Sequence, residues 1–289
     1  MAESTAQLLY VGGMQSSSGK STCCLAILSF LLEHGYSPSD LAYIKPVTQC
    51  ESLQPVTQFC HTHGIRHIDA GPVVFRSGVT YKFIEDNDPE AGKKRIERVV
   101  KAVHALAKGK KFVLVDGIGY ASVGSNGSVS NAQIAKALNA PVLLVGKTGV
   151  GDAIDSMNLS RIYFHHYGCD VVGAIFSKVK LDCPRHTYDN CKKFVSMYFE
   201  KGHEDGAAEE RKEPPLKVFG FVPTNKDLVR EVEESCALMY PNDEIEGCCS
   251  RDDFEVSEED KEWNRKAVKH FEEFIDFQAL FGALKVDLK

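Results

Sequence analysis

The sequence predicts an α/β fold, a three-layer sandwich in which a mostly parallel, doubly wound sheet lies between two layers of helices. Short apolar runs such as Leu8–Gly12 and Pro141–Val145 are typical of strands buried on both faces. Longer segments with helical periodicity separate these runs, and in Glu90–Lys108 the apolar residues recur on one face. Because strands and helices alternate, right-handed crossovers generate a parallel sheet that is covered on each side.

The predicted elements follow one another in a regular order. Strands are predicted at Leu8–Gly12, Leu41–Val47, Phe112–Val115, Pro141–Val145, Val171–Ser177 and Val218–Val222. Helices are predicted at Ser21–His34, Glu90–Lys108, Asn131–Leu138, Ala153–His166 and His186–Glu200. Ligands of such sheets bind beyond the carboxyl ends of the strands. We therefore expect the chemistry in the loops that follow Gly12, Lys45, Val115 and Val145.

Composition argues against several classes of function. The 289 residues are 43% apolar, which is enough for a substantial core, and their formal net charge is −6. A chain with a pI near 5.9 lacks the basic face that nucleic acids and anionic membranes require. The first residues lack the pattern of a secretory signal, and the longest apolar stretch, Leu25–Leu32, is too short to cross a bilayer. We expect a cytoplasmic protein with reduced cysteines and with neither nucleic-acid nor membrane partners.

A glycine- and serine-rich turn between the first strand and the first helix is the strongest motif. The segment LLYVGGMQSSSGKST contains Gly19-Lys20-Ser21 and follows the pattern G-x5-G-K-S from Gly13. The common phosphate-binding loop is G-x-x-x-x-G-K-[ST], so this loop is one residue longer. Small residues let successive main-chain N–H groups wrap a polyphosphate, and the helix adds its positive N-terminal end. The pattern predicts a P-loop NTPase.

The loop and two strand ends supply a predicted site for ATP and Mg²⁺. Lys20 is predicted to reach the β- and γ-phosphates, and the Ser21 hydroxyl to coordinate Mg²⁺. Asp116 follows an apolar strand, as a Walker B carboxylate does, and is predicted to complete the metal site. Lys45 ends another strand and is predicted to bind an anion. The residues predicted to bind ATP are Gly13, Ser17, Ser18, Gly19, Lys20, Ser21 and Thr22.

The chain divides into two predicted parts. Residues 1–240 form a P-loop nucleotide-binding domain, in which residues 201–217 are a charged, mobile insertion. Residues 241–289 form an acidic link and a C-terminal amphipathic helix, which begins at Ser257 with a capping box to Asp260. The apolar stripe of this helix consists of Trp263, Ala267, Phe271, Phe274 and Gln278. Such a stripe fits either a helix docked on the domain or an interface for a partner.

The long loop resembles that of dethiobiotin synthetase and its relatives, which include cobyrinic acid a,c-diamide synthase and the N-terminal domain of some phosphotransacetylases. Five further segments resemble family motifs in the same order, within Leu8–Thr224. They are Tyr43–Val47 (Y-K-P-V), Leu114–Gly119 (V-E-G-A-G), Ala140–Gly146 (P-V-I-L-V-x-G), Gly168–Val179 (G-L-x-L-A-G-W-V-A-N-x-V) and Phe219–Pro223 (L-G-E-I-P). The resemblance implies an ATP- and Mg²⁺-dependent ligase that acts on a small-molecule substrate.

In that family a diamine is carboxylated to a carbamate, ATP phosphorylates the carbamate, and the second amine closes a cyclic urea. The resemblance implies three catalytic residues: Lys20 neutralises the transferred phosphoryl group, Lys45 holds the carbamate, and Ser16 contacts phosphate and substrate. It also implies that Gln49 binds substrate and that Ser177 takes the position of the residue that reads adenine. A homodimer whose sites are completed across the subunit interface is a further implication.

The chain departs from the family at several positions. Ser17 replaces an acidic residue, Asp116 replaces a longer Glu, and the second metal carboxylate has no counterpart at the matching spacing, although Glu51 and Asp69 are candidates. These departures keep two alternatives open. One is a nucleotide-binding regulatory or scaffold module without ligase turnover, and the other is a related ligase that activates another carboxylate.

Overall fold

The computed structural model describes residues 6–48, 53–75, 78–86, 88–181, 187–201, 215–229 and 254–288. Its centre is a seven-stranded sheet with the strand order β4-β2-β6-β1-β7-β8-β9, in which all neighbours are parallel. The strands are β1 (Gln7–Gly13), β2 (Leu41–Ile44), β3 (Val47–Thr48), β4 (Arg66–Ile68), β5 (Val73–Val74), β6 (Phe112–Asp116), β7 (Val142–Gly146), β8 (Val171–Val179) and β9 (Val218–Pro223). The predicted three-layer α/β fold is confirmed.

Helices cover both faces of this sheet. In the described part they are α1 (Lys20–Glu33), α2 (Pro55–His63), α3 (Val79–Asp86), α4 (Pro89–Ala107), α5 (Asn131–Ala137), α6 (Gly151–His166), α7 (Tyr188–Lys201), α8 (Glu258–Phe274) and α9 (Phe277–Leu284). One apolar core lies between the sheet and α4 to α7, and the other lies between the sheet and α1, α2, α8 and α9. Within the described chain, no helix combines the length and apolar character that crossing a bilayer requires.

Three neighbouring strands, β2, β6 and β1, end at the same edge of the sheet. The register pairs Ile44 of β2 with Val115 of β6, and Asp116 with Val11 of β1. Because all three strands run in one direction, the residues after them converge. The fold therefore brings Lys45, Asp116 and the loop after Gly13 to one carboxyl edge, as the sequence predicts.

The predicted strand Leu41–Val47 is wrong in its second half. β2 ends at Ile44, and Pro46 interrupts the ladder because proline has no N–H to donate. Beyond it, Val47 and Thr48 form β3, which pairs with β5 in a separate two-stranded parallel sheet. The sequence patterns also do not predict α2, α3, β4 and β5, which are short and lie between β2 and α4.

The C-terminal helix begins as predicted but is shorter than its apolar stripe. The Ser257 Oγ accepts a hydrogen bond from the Asp260 N–H at 3.0 Å, which caps α8. The helix ends at Phe274, and Ile275 is extended and forms an antiparallel bridge with Gly220 of β9. A single helix that continues to Gln278 is therefore wrong. The free side of β9 offers backbone partners there, and α9 begins only after this pairing.

The stripe of α8 docks on the domain itself. Ala267, Val268 and Phe271 are buried in the core that also contains the apolar residues of α1. In α9, Phe277 and Phe281 stack on Phe30 of α1, with ring centroids 4.8 and 5.5 Å apart. Most of the predicted insertion 201–217 and the link up to residue 253 lie outside the described residues.

Candidate functional site

The phosphate loop runs from the end of β1 to the start of α1. Two residues with left-handed backbone curl it, Ser17 with φ 56° and Gly19 with φ 88°. Gly19 is the N-cap residue of α1 and provides no side-chain cap, so the N-terminal N–H groups of this 14-residue helix are left for a ligand. A helix N-terminus of this kind attracts anions.

Lys20 folds back into this loop because residue 13 is a glycine. A Cβ at Gly13 would lie 2.7 Å from the Lys20 Cδ and 2.9 Å from the Gly119 carbonyl oxygen. The Lys20 Nζ donates a hydrogen bond to the Gln15 carbonyl at 3.3 Å, and the residue is only 7% exposed. The loop therefore holds a buried ammonium group in the position where phosphates of a nucleotide are expected.

Ser21 and Asp116 meet as the sequence predicts for a metal site. The Ser21 Oγ donates to the Asp116 Oδ2 at 2.8 Å, and the Tyr43 hydroxyl donates to the same oxygen at 2.9 Å. Asp116 is fully buried, and its Oδ1 has no hydrogen-bond partner among the described residues. A hydroxyl and a carboxylate with an unsatisfied oxygen are the hard oxygen donors that suit Mg²⁺, so these residues fit that ion.

Tyr43 supports the Asp116 carboxylate, a role that sequence patterns do not reveal. Burial, followed by the Asp116 charge, raises the pKa of Tyr43 well above its ordinary value. The phenol therefore stays protonated and remains a donor to the carboxylate. Tyr43 lies 73 residues from Asp116 in the chain, so only the pairing of β2 with β6 brings the two together.

Lys45 lies beside this pair at the end of β2. It is only 4% exposed, and its N–H donates to the Ile68 carbonyl of β4 at 2.9 Å. Burial and then the Asp116 carboxylate raise the pKa of the Cys24 thiol well above its ordinary value, whereas Lys45 and Lys20 oppose the rise. The Lys20 and Lys45 side chains are therefore both close enough to Cys24, near the start of α1, to lower the pKa of its thiol. Two lysines and two carboxylates are therefore buried at this edge, Lys20 and Lys45 with Asp116 and Asp69.

Asn131 fixes the loop that follows Asp116, and sequence patterns do not reveal it. Its Nδ2 donates to the carbonyls of Ile118 and Tyr120 at 2.6 and 2.7 Å. Its Oδ1 accepts from the Tyr10 hydroxyl at 2.7 Å and from the Ile118 N–H at 3.1 Å. These bonds hold the loop beside the phosphate loop, where the Ser16 Oγ lies 3.5 Å from the Cβ position of Gly119.

Ser177 and Phe271 support the turn at Ser18 and Gly19 from two other elements. The Ser177 Oγ donates to the Ser18 carbonyl, and Ser177 is 1% exposed. The Phe271 ring of α8 approaches the Cβ position of Gly19 to 3.9 Å. In this conformation the Ser177 hydroxyl is used by the loop backbone, and its contact with a base stays a prediction. The Ser18 Oγ is buried without a hydrogen-bond partner among the described residues.

The remaining predicted residues are distributed around this edge. Ser17 is exposed at the tip of the loop, and Thr22 is half-buried in the first turn of α1. Asp69 follows β4, and because Ile44 pairs with Ile68 it lies next to Lys45 on the neighbouring strand. Gln49 and Glu51 lie outside the described residues. Among the described residues, no group of three or more His, Cys, Asp or Glu side chains could hold a metal ion.

The loop, the Ser21–Asp116 pair and the parallel sheet together define the type of protein. A family model described as an AAA domain (AAA_26) matches residues 7–232. The chain belongs to this family. As a member of AAA_26 it is a P-loop NTPase, and the matched residues extend from β1 past β9 and end before α8. A search of curated proteins gives no match.

Solved structures similar to this AAA_26 protein include the following three. A ParA family ATPase from Chlorobium tepidum TLS is 12% identical, with a TM-score of 0.42, over 78% of this chain and 87% of the other. The signal recognition particle receptor FtsY from Elizabethkingia anophelis, in complex with GDP, is 13% identical, with a TM-score of 0.43, over 78% and 59%. A protein described as a plasmid partition protein from Borrelia burgdorferi B31, bound to AMPPNP, is 10% identical, with a TM-score of 0.45, over 93% and 99%.

Proposed function

We propose that this AAA_26 protein is an ATP- and Mg²⁺-dependent ligase that phosphorylates a carbamate or carboxylate of a small molecule, as dethiobiotin synthetase does. The observation that carries the proposal is the pair of buried lysines, Lys20 and Lys45, at the same edge as Ser21 and Asp116. One lysine in the loop serves the nucleotide phosphates. Lys45, which lies next to the buried Asp69, supplies a second ammonium group that can orient an acceptor oxyanion.

The proposed reaction uses these residues for charge neutralisation and positioning. A carbamate oxygen of the substrate attacks the γ-phosphorus of ATP, the bond from that phosphorus to the bridging oxygen breaks, and ADP leaves. The second amine of the substrate then attacks the carbamoyl carbon, loses a proton and expels inorganic phosphate. Lys20 stabilises the charge of the transferred phosphoryl group, and Lys45 orients the attacking oxygen. Ser21 and Asp116 would hold Mg²⁺, which offsets the phosphate charge.

Turnover with defined substrates tests this proposal. We expect the purified chain to convert diaminopelargonate, bicarbonate and MgATP to a cyclic urea with one ADP per product, measured by mass spectrometry and an ADP assay. A sample that binds MgATP but forms no product with the diamine contradicts the dethiobiotin synthetase reaction. Substrate-dependent ADP formation with another carboxylate, measured in a panel of carboxylic acids and amines, would instead support the related ligase.

A pair of variants separates nucleotide binding from chemistry. Lys45→Met removes one charge but keeps side-chain length, so MgATP binding measured by calorimetry should change by less than about threefold, while product formation falls by about 100-fold or more. Lys20→Met should abolish both, because in this proposal its ammonium binds the nucleotide phosphates. Unchanged turnover in Lys45→Met would contradict the role assigned to the second lysine.

A regulatory module remains a second candidate because of one specific contact. Phe271, which approaches Gly19, belongs to α8, and α8 lies beyond the residues matched by the family model. If nucleotide binding rearranged the phosphate loop, the change would therefore be transmitted to α8, which is not part of the matched family model. In this case MgATP should slow amide hydrogen exchange in α8 while no substrate-dependent ADP is formed. Exchange in α8 that is indifferent to MgATP would exclude this candidate.

A further inference from the structure

A cavity of about 520 Å³ lies beside β4, the outermost strand on one side of the central sheet. Its walls are the end of α2, the turn that follows, β4 itself and one side of α4, and its polar residues are Cys60, His61, Arg66 and His67. Because β2 and β6 separate β4 from β1, the cavity is distinct from the candidate nucleotide site. A cavity of this size with few polar groups is typical of small-molecule sites.

The backbone of β4 turns toward this cavity at His67. The Ile68 carbonyl accepts a hydrogen bond from the Lys45 N–H at 2.9 Å, so the backbone groups of Ile68 face β2. Since successive residues of a strand direct these groups to opposite sides, the N–H and C=O of His67 face away from β2. An edge strand offers such groups to whatever binds beside it. The His67 N–H is therefore a main-chain donor on the cavity side.

The imidazole of His67 adds an unsatisfied acceptor. Its Nδ1 lies 3.1 Å from the Ile65 carbonyl, and because a carbonyl only accepts, Nδ1 carries the proton and Nε2 is the acceptor of the neutral ring. His67 is 7% exposed, and its Nε2 has no hydrogen-bond partner among the described residues. A buried polar atom without a partner costs stability, which a donor from a ligand would recover.

Arg66 gives the cavity a positive charge. Its side chain is exposed, and among the described residues no salt bridge uses its guanidinium group. Burial and then the Arg66 charge lower the pKa of Lys110, whereas Asp40 opposes this fall, so a second cation lies nearby. In the described part of the chain, neither Asp nor Glu lines the cavity. An arginine in such surroundings is suited to bidentate binding of an oxyanion.

We propose that this cavity binds a small molecule that carries a phosphate monoester group. The Arg66 guanidinium and the His67 N–H donate hydrogen bonds to the phosphate oxygens, and the hydroxyl of the singly protonated phosphate donates to the His67 Nε2. A phosphate monoester loses its second proton only near about pH 6, so this donor persists close to neutral pH. A carboxylic acid has lost its proton by then and would leave the Nε2 unsatisfied. The inference does not depend on the proposed reaction.

Helix α4 provides apolar surface for the rest of the ligand. Ala102, Ala105 and Leu106 form its side of the cavity, and the short alanine side chains leave room for a ring beyond the phosphate group. Phenyl phosphate combines a ring with a phosphate monoester and is therefore the probe that suits both parts of the cavity.

Calorimetry of the full chain with phenyl phosphate tests the position of the site. We expect a dissociation constant of about 1 mM or below, both in the wild type and in Lys20→Met, in which the phosphate loop lacks its lysine. Arg66→Gln should raise this constant by about tenfold or more, because a charge-assisted contact is lost. Arg98→Gln is the matched control, since Arg98 is an exposed arginine of α4 that does not line the cavity.

Three results would overturn the proposal. The first is a wild-type chain that does not bind phenyl phosphate at millimolar concentration. The second is binding that disappears in Lys20→Met and persists in Arg66→Gln, because the anion would then occupy the phosphate loop. The third is a phosphotyrosine peptide that binds more than about tenfold tighter than phenyl phosphate, which would assign the cavity to a modified protein instead of a small molecule.

Phenyl sulfate tests the contact with the His67 Nε2, because it has the shape of phenyl phosphate without an ionisable hydroxyl near neutral pH. It should bind about tenfold more weakly or worse, since it leaves the Nε2 without a donor. Phenyl phosphate should also shift the nitrogen NMR resonance of the His67 Nε2, which is assigned by its loss in a folded His67→Gln variant. Equal affinity for the two anions, or a resonance that does not move, overturns the assignment of a phosphate monoester. Since Arg66 is exposed, the test at Arg66 holds even where His67→Gln does not fold.

Discussion

The helices α1 and α6 follow neighbouring strands, β1 and β7, yet their outward faces have different surroundings. In α1, Cys23–Leu31 is buried without interruption, because α8 and α9 of the same chain lie over the side that faces away from the sheet. In α6, Leu159 and Ile162 point outward and are largely exposed. Both helices carry apolar residues on the side that faces away from the sheet. The chain supplies a cover for α1, whereas no described part of it covers Leu159 and Ile162 of α6.

The packing of α8 and α9 on α1 should contribute more to stability than the exposed side chains of α6. Phe281 of α9 is fully buried, with ring centroids 5.5 Å from Phe30 and 6.0 Å from Phe112. Phe281→Ala should lower the free energy of unfolding by about 3–5 kcal/mol, since it removes a large buried ring and leaves a cavity. Urea denaturation measures this change.

The matched change on α6 is Ile162→Ala, which should alter monomer stability by no more than about 0.5 kcal/mol, because this side chain is exposed in the single chain. If Phe281→Ala and Ile162→Ala lowered the free energy of unfolding equally, the proposed difference between the two helices would be wrong.

Gly13, which precedes α1, and Gly151, which begins α6, should differ in how well they tolerate replacement by alanine. A Cβ at Gly13 would meet Lys20 and the Gly119 carbonyl, whereas a Cβ at Gly151, the first residue of α6, would meet nothing within 4 Å. Gly13→Ala should therefore weaken MgATP binding by about tenfold or more, which corresponds to roughly 1.4 kcal/mol. Gly151→Ala should bind normally. Isothermal calorimetry compares the two, and normal binding by Gly13→Ala would show that the steric account of this loop is wrong.

The smallest expected effect is the pH dependence of the free energy of unfolding that arises from Glu272 in α8. Burial, followed by the Glu33 charge, raises the pKa of Glu272 from its ordinary 4.5 to about 7, while His34 opposes the rise. Between these values the folded chain retains a proton that the unfolded chain releases. The free energy of unfolding should therefore fall as pH rises from about 5 to 7 and remain lower above that range.

Glu272→Gln removes this ionisation and keeps the shape of the side chain. The variant should be more stable than the wild type at pH 8 and similar to it at pH 5, with a modest difference because solvent partly screens the group. Thermal unfolding across this range measures the slope, and the exposed neighbour Glu273→Gln serves as the control. If stability depended on pH equally in Glu272→Gln and in the wild type, the Glu272 carboxylate would not be the cause of that dependence.

Local patterns predicted six of the seven strands of the central sheet, most helices and the centre of the candidate site. The loop Gly13–Ser21 is contiguous in sequence, and Lys45 and Asp116 could be placed because parallel strands end at one edge. Tyr43 and Asn131 could not be found in this way. Tyr43 bonds to Asp116, 73 positions away, and Asn131 joins Tyr10, 121 positions away, to the loop at Ile118 and Tyr120. Within their own segments both follow an ordinary strand or helix pattern.

The C-terminal segment shows the same limit for the fold. Helical periodicity continues past Phe274, but backbone groups of β9 form hydrogen bonds with the chain there, and this tertiary contact ends the helix. The continuous apolar character of α1 indicated a buried helix without indicating what covers it. Side-chain pattern thus predicts that a surface is buried, and only the folded chain identifies its partner.

The short extended link between α8 and α9 has a consequence for solubility. Ile275 bridges Gly220, and the Asp276 N–H donates to the Phe219 carbonyl at 2.7 Å, so backbone groups at the outer side of β9 are occupied. Strands with unoccupied backbone groups recruit other chains and promote aggregation. Chains cut short before Ile275 should therefore expose these groups and aggregate more readily than the chain that retains Ile275 and Asp276.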